Sequence, residues 1–179
     1  AWSYTTTLTD GTYSLTTTAT DAASNTSAPS SAVTLTIDTG VPAAPAITAP
    51  TNGASTNNNK PMISGTSEAN ATITVYQDGA SQGTTTASGG GLWNYTPVSA
   101  WSDGTYSLTA TATDSANNSS VASSAVTLTI DTALPGQPTL SIAAWGDRTD
   151  NLRPTFSGTG ETEQTVKVWL DNNLVASVI

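Results

Sequence analysis

The chain has 179 residues, 13 acidic against 4 basic side chains, a formal charge of −9, and neither Cys nor His. This composition excludes disulfides, thiolate chemistry and His-activated nucleophiles, and the acidic balance excludes a nucleic-acid footprint and argues against adhesion to anionic lipid. No apolar run is long enough to cross a bilayer, so no membrane insertion is expected of these residues.

Residues 10–21, DGTYSLTTTATD, return at 103–114 as DGTYSLTATATD, an offset of 93. The same offset carries SSAVTLTIDT from 30–39 onto 123–132, and Lys60-Pro61 and Ser64-Gly65-Thr66 onto Arg153-Pro154 and Ser157-Gly158-Thr159. A fixed period that runs through the whole chain marks tandem copies of one unit. With the recurring Asp-Thr-x-x-Pro segment as the joint, residues 1–38 are the back half of one module, 39–131 a complete module, and 132–179 the front half of another.

Within the complete module the alternation has a period of two, which predicts strands and no helix. Pro42 and Pro45 lead into strand A near 46–48, and strand B covers 60–66 with Ile63 inward. Strand C covers 71–77, with Ile73 and Val75 inward and Thr72, Thr74 and Tyr76 outward. Asp78-Gly79 is a tight-turn pair, followed by strand D at 82–88 and strand E at 92–97 with Trp93 and Tyr95 inward. Strand F at 104–113 places Tyr106, Leu108, Ala110 and Ala112 on one face, and strand G at 122–131 turns Val126, Leu128 and Ile130 inward. Seven short strands in one such unit predict an all-β, immunoglobulin-like sandwich, repeated in tandem, with Tyr106 at a tyrosine corner. A seven-stranded barrel is the alternative.

The SSAVTLTIDTALPGQPTL, SGTSE and DGTYSLTATATDSANN segments resemble the bacterial immunoglobulin-like tandem repeats of large calcium-binding, RTX-type surface adhesins. The resemblance implies a structural stalk repeat, secreted and extracellular at the cell surface, that is not an enzyme. Its partners would be neighbouring repeats of the same chain, with any host or surface ligand bound through other parts of the protein. The Thr-rich, Lys-poor, Cys-free composition agrees with a secreted product.

Strands that reverse in turn send alternate loops to opposite poles, and the acids follow that map. Asp10 in the E–F turn and Asp38 at the end of G lie at the C-terminal pole of the first module. Glu68 in the B–C turn and Asp114 in the F–G loop lie at the N-terminal pole of the second. All four are expected at the first joint, and Asp103, Asp131 and Glu161 at the second. Carboxylates gathered without basic partners repel, and a hard cation such as Ca²⁺, which takes six to eight oxygens, would reverse the sign. Structural Ca²⁺ stiffening the joints is therefore expected, in line with the resemblance. Solvated turn acids are the competing reading, and Asp10 and Asp103 in particular are explained as turn formers by the Gly that follows each.

The remaining signals carry less. Glu161 and Glu163 share one turn and imply no cleft of the kind a glycosidase pair needs. Trp2, Trp93, Trp101, Trp145 and Trp169 raise the alternative of a carbohydrate-binding module that stacks sugars on exposed aromatics. Trp93 is expected in the core, while Trp101 and Trp169 are open to either reading.

Overall fold

A computed structural model describes residues 1–142 and 155–179; Trp145, Arg153 and Pro154 lie outside the described residues. The chain divides into two compact units, Ala1–Thr132 and Ala133–Ile179.

The first unit begins with a hairpin of β1 (Gly11–Leu15) and β2 (Val33–Ile37), followed by the complete module. That module runs β3 (Ala46–Ala49), β4 (Ala54–Thr56), β5 (Ile63–Thr66), β6 (Thr72–Gln77), β7 (Ala80–Thr86), β8 (Leu92–Tyr95), β9 (Gly104–Thr113) and β10 (Val126–Ile130). Two sheets form, a five-stranded one in the order β4-β10-β9-β6-β7 and a three-stranded one in the order β3-β5-β8. The fold is an all-β, immunoglobulin-like sandwich.

The alternation of Thr with apolar residues builds the core, because a strand sends successive side chains to opposite faces. Ile73 and Val75 of β6, Leu108, Ala110 and Ala112 of β9, and Leu128 and Ile130 of β10 are buried, and Ile63, Trp93 and Tyr95 meet them from the other sheet. Each fully buried Val, Leu or Ile contributes about 1.5–3 kcal/mol relative to its exposed state, and six such side chains, Ile63, Ile73, Val75, Leu108, Leu128 and Ile130, are fully buried in this module. Gly65 pairs with Trp93 across β5 and β8. A Cβ there would run into the Ala46 carbonyl and the Trp93 ring, so only glycine lets the strands close over that ring.

Three expectations need correction. The first strand is split: β3 pairs with β5, and the chain then crosses to the other sheet, where β4 runs parallel to β10. The module thus has eight strands where seven were expected. The segment expected as strand D at 82–88 is β7 at Ala80–Thr86, paired with β6 at the edge of the larger sheet. Strand G begins at Val126 rather than 122. Ahead of it, Ser123 and Ser120 mimic a strand: their amides donate to Ala110 O and Ala112 O at 2.8 Å. Their hydroxyls accept from the amides of the same two residues, at 3.0 and 2.9 Å. Ser30 and Ser27 repeat this on Thr17 and Ala19 in the preceding half-module.

The turn at Asp78-Gly79 has φ of 49° and 81°, as a two-residue primed hairpin turn requires. The tyrosine corner is present, with the Tyr106 hydroxyl donating to Ser102 O at 2.8 Å and Tyr13 doing the same to Thr9 O at 2.8 Å.

The β1–β2 pairing, Gly11 with Ile37 through Leu15 with Val33, is the β9–β10 pairing displaced by 93 positions. Leu15 and Val33 are 47% and 63% exposed where their counterparts Leu108 and Val126 are 0% and 9%. The three-stranded sheet that covers this face in the complete module has no counterpart within residues 1–38.

Among its described residues the second unit holds two antiparallel pairs, β11 (Ser141–Ile142) with β12 (Phe156–Ser157) and β13 (Val166–Leu170) with β14 (Asn173–Val178). Its Asp171-Asn172 turn and the irregularity at Val168/Trp169 stand 93 positions after Asp78-Gly79 and Val75/Tyr76.

Candidate functional site at the module joint

The chain leaves β2 through Asp38, Thr39 and Gly40. Asp10, in the turn that opens β1, holds this step from the module just completed. Its Oδ1 accepts from the Thr39 amide at 3.2 Å and from the Thr39 hydroxyl at 2.9 Å. Asp38 Oδ1 accepts the Gly40 amide at 2.9 Å, a local turn that aims the linker.

The following module reaches the same step. Asn118, in the loop between β9 and β10, donates from Nδ2 to the main-chain oxygen of Asp38 at 3.0 Å and to Asp114 Oδ2 at 2.9 Å. Asp114 in turn organises its loop, its Oδ1 accepting from the amides of Ala116 and Asn118 at 2.8 and 2.9 Å. The Asn118 side-chain amide holds the Asp114 carboxyl below the usual carboxylate range; desolvation works against this, and the amides of Asn118, Ala116 and Asn117 add to it. Asp21 and Asn25 make the same loop 93 positions earlier, with the Asp21 carboxyl lowered chiefly by the Asn25 side chain.

At the end of β10 the clasp on the linker recurs. Asp103 Oδ1 accepts from the Thr132 amide at 3.0 Å and its hydroxyl at 2.8 Å, and the Asp131 amide donates to Thr56 O at 3.0 Å. Glu161, in the second unit, accepts the Gly136 amide on Oε1 at 2.8 Å. Glu68 makes its described contacts through its carbonyl, to Ala71 N and Ser67 Oγ.

Of the acids expected together, the structure thus links Asp38 to Asp114 through Asn118, and Asp10 to the residue after Asp38. Asp103 and Asp131 belong to one unit and Glu161 to the other. Among the described residues no three carboxylates lie together. The carboxylate of Asp10 accepts N–H and O–H donors, and that of Asp114 accepts N–H donors. Lys60 is at the opposite pole, its Nζ donating to Val98 O at 2.6 Å.

Sequence reasoning missed Asn118 and Thr39. The available signal was the pair DAASN at 21–25 and DSANN at 114–118, an Asp with Asn four residues on, repeated at the module period.

The aromatic residues divide by position. Trp93 and Trp101 are 3% and 8% exposed, with Trp101 packed at 5.6 Å and 59° against Tyr106. Trp2 and Trp169 are exposed. Their positions, displaced by 93, are those of the buried Tyr95 and the half-buried Tyr76.

No helix among the described residues is long and apolar enough to cross a membrane. Comparison with curated proteins gives no match. Among solved structures, a tetra-tandem repeat in the extending region of a large adhesion protein is similar, at 20% identity and a TM-score of 0.43. The match covers 86% of this chain, which spans 39% of the length of that one. The profile of the bacterial Ig-like domain matches residues 1–39 and 48–132, two copies that meet at the linker just described, and the chain belongs to that family.

Proposed function

We propose that this chain is an extending segment of a secreted bacterial cell-surface adhesin, a structural repeat with no catalytic role. The observation that carries this reading is the exact-offset repetition of module ends. β1–β2 and β9–β10 share one register, and each delivers the chain to a linker clasped by the Asp of the preceding turn. Identical exits followed by short linkers stack modules end to end. A ten-residue strand such as β9 spans roughly 34 Å at about 3.4 Å per residue, which sets the length each module adds.

Small-angle scattering on arrays of two, four and six modules tests this. The maximum dimension should grow in proportion to module number, and a dimension that levels off would defeat the extension role. Calcium stiffening of the joints, the finer form of this reading, is tested by running each array with Ca²⁺ and with excess chelator. A length that shortens only in chelator supports the metal, and an unchanged length rejects it.

A further inference from the structure

The Asp38-Thr39 step is held from two sides by side chains of different modules. Asp10 takes Thr39 through its amide and hydroxyl, and Asn118 takes the Asp38 carbonyl. We infer that this pair is an intermodule clasp in which Asn118 is the residue by which one module recognises the end of the module before it.

The chemistry fits that role. A main-chain carbonyl at a strand end is an acceptor that the sheet no longer satisfies, and a primary amide has two N–H donors to spend. Asp114 takes one carboxamide contact at 2.9 Å, which orients the group, and Asp38 O takes the other at 3.0 Å. Asp114 is itself fixed by two amides of its own loop, so the donor is presented from a rigid base. On the other side, Asp10 clamps the next residue along, so the linker cannot pivot at Thr39 without releasing one partner. The partner recognised is a further repeat of the same chain, and the mark read is a backbone oxygen rather than a side chain. Any module whose last strand ends in the same geometry would be accepted. Asn25 stands at the equivalent position in residues 1–38, bonded to Asp21 at 2.9 Å and to no linker among the described residues.

The inference deepens the extension reading and rests on it for its use, yet it can fail alone, because an array held by other contacts would still lengthen with each module. Residual dipolar couplings of the full chain test it, with excess chelator in every sample. In the unsubstituted chain the amides of residues 11–37 and 46–130 should fit a single alignment tensor. In Asn118→Ala they should need separate tensors, while Asn25→Ala, which loses the matching contact within its own loop, should keep one. Native positions for the Ala110 and Leu128 amides would show that the complete module is folded. Should Asn118→Ala not fold, Thr39→Val removes the hydroxyl on the other side and should also weaken the shared order. A single tensor retained in the foldable variant overturns the clasp. So do separate tensors in the unsubstituted chain that merge only when Ca²⁺ replaces chelator.

Discussion

Trp93 and Gly65 are cross-strand partners on β8 and β5, and the indole fills the space that any side chain at position 65 would occupy. The pair seats the edge strand β8 against the central strand β5 of the smaller sheet, and it makes both residues sensitive. Trp93→Ala should cost about 3–5 kcal/mol, as for other large buried aromatics. Gly65→Ala should cost about 1–3 kcal/mol, because the obstacle is backbone and cannot rotate away. The Trp93 Nε1 is buried with no hydrogen-bond partner, so Trp93→Phe should cost much less than Trp93→Ala. Urea unfolding followed by tryptophan fluorescence or circular dichroism measures all three, and equal losses for Phe and Ala at position 93 would contradict this packing.

The serine mimicry before β10 gives a second test. Ser123 Oγ accepts the Ala110 amide and donates to Ser124 O at 3.0 Å. Ser123→Ala would strand a buried N–H, at a cost of about 1–3 kcal/mol. The local signature is faster hydrogen exchange at Ala110 than at Leu108, whose ladder with Val126 is untouched. Unchanged exchange at Ala110 would mean the hydroxyl is not its acceptor.

Much of this architecture is written in the alternation itself. β9 matches its expected bounds from 104 to 113, and the inward sides of β5, β6, β8 and β10 follow from period two because burial rewards it on every other residue. β4 was not legible: Ala54-Ser55-Thr56 has no large apolar residue, and its place comes from pairing alongside β10 rather than from burial. The edge position of β7 depends on which neighbour captures it, which local pattern does not encode. At the joint, the acids' pole was readable from loop parity, but their partners were not. Charge counting draws attention to carboxylates, while the group that crosses the joint is the neutral amide of Asn118, one of many Asn residues in polar loops.

The Asp114 and Asp21 loops predict a pH dependence. Both carboxyls are held below the usual carboxylate range by Asn side-chain donors. A group with a lowered folded pKa stabilises the fold above its unfolded value, about 3.9 for Asp, and that contribution is lost as the pH falls through the folded value. The melting temperature should therefore be flat near neutrality and decline below about pH 4. Asp114→Asn should lower it at pH 7 and flatten the acid decline. A variant with the same acid slope as the unsubstituted chain would remove Asp114 from the explanation.

The last prediction concerns force. A stalk is loaded through its ends, and in the complete module the first and last parts of the chain meet as the parallel pair β4–β10, with Ala54, Ser55 and Thr56 opposite Leu128, Thr129 and Ile130. The contact is extended at both ends, by Gly53 N to Thr127 O at 2.9 Å and Asp131 N to Thr56 O at 3.0 Å. Asn52 Oδ1 also accepts the Thr127 amide at 2.8 Å. Tension along the strands shears these bonds together, whereas peeling would break them one at a time. Asn52→Ala removes one bond from the sheared set and about 0.5–1.5 kcal/mol of stability. In single-molecule pulling of the complete module within an array, it should lower the unfolding force, while Lys60→Ala, at the A–B loop outside the pair, should leave the force unchanged. Equal forces for Asn52→Ala and the unsubstituted module would place the mechanical barrier elsewhere than at β4–β10.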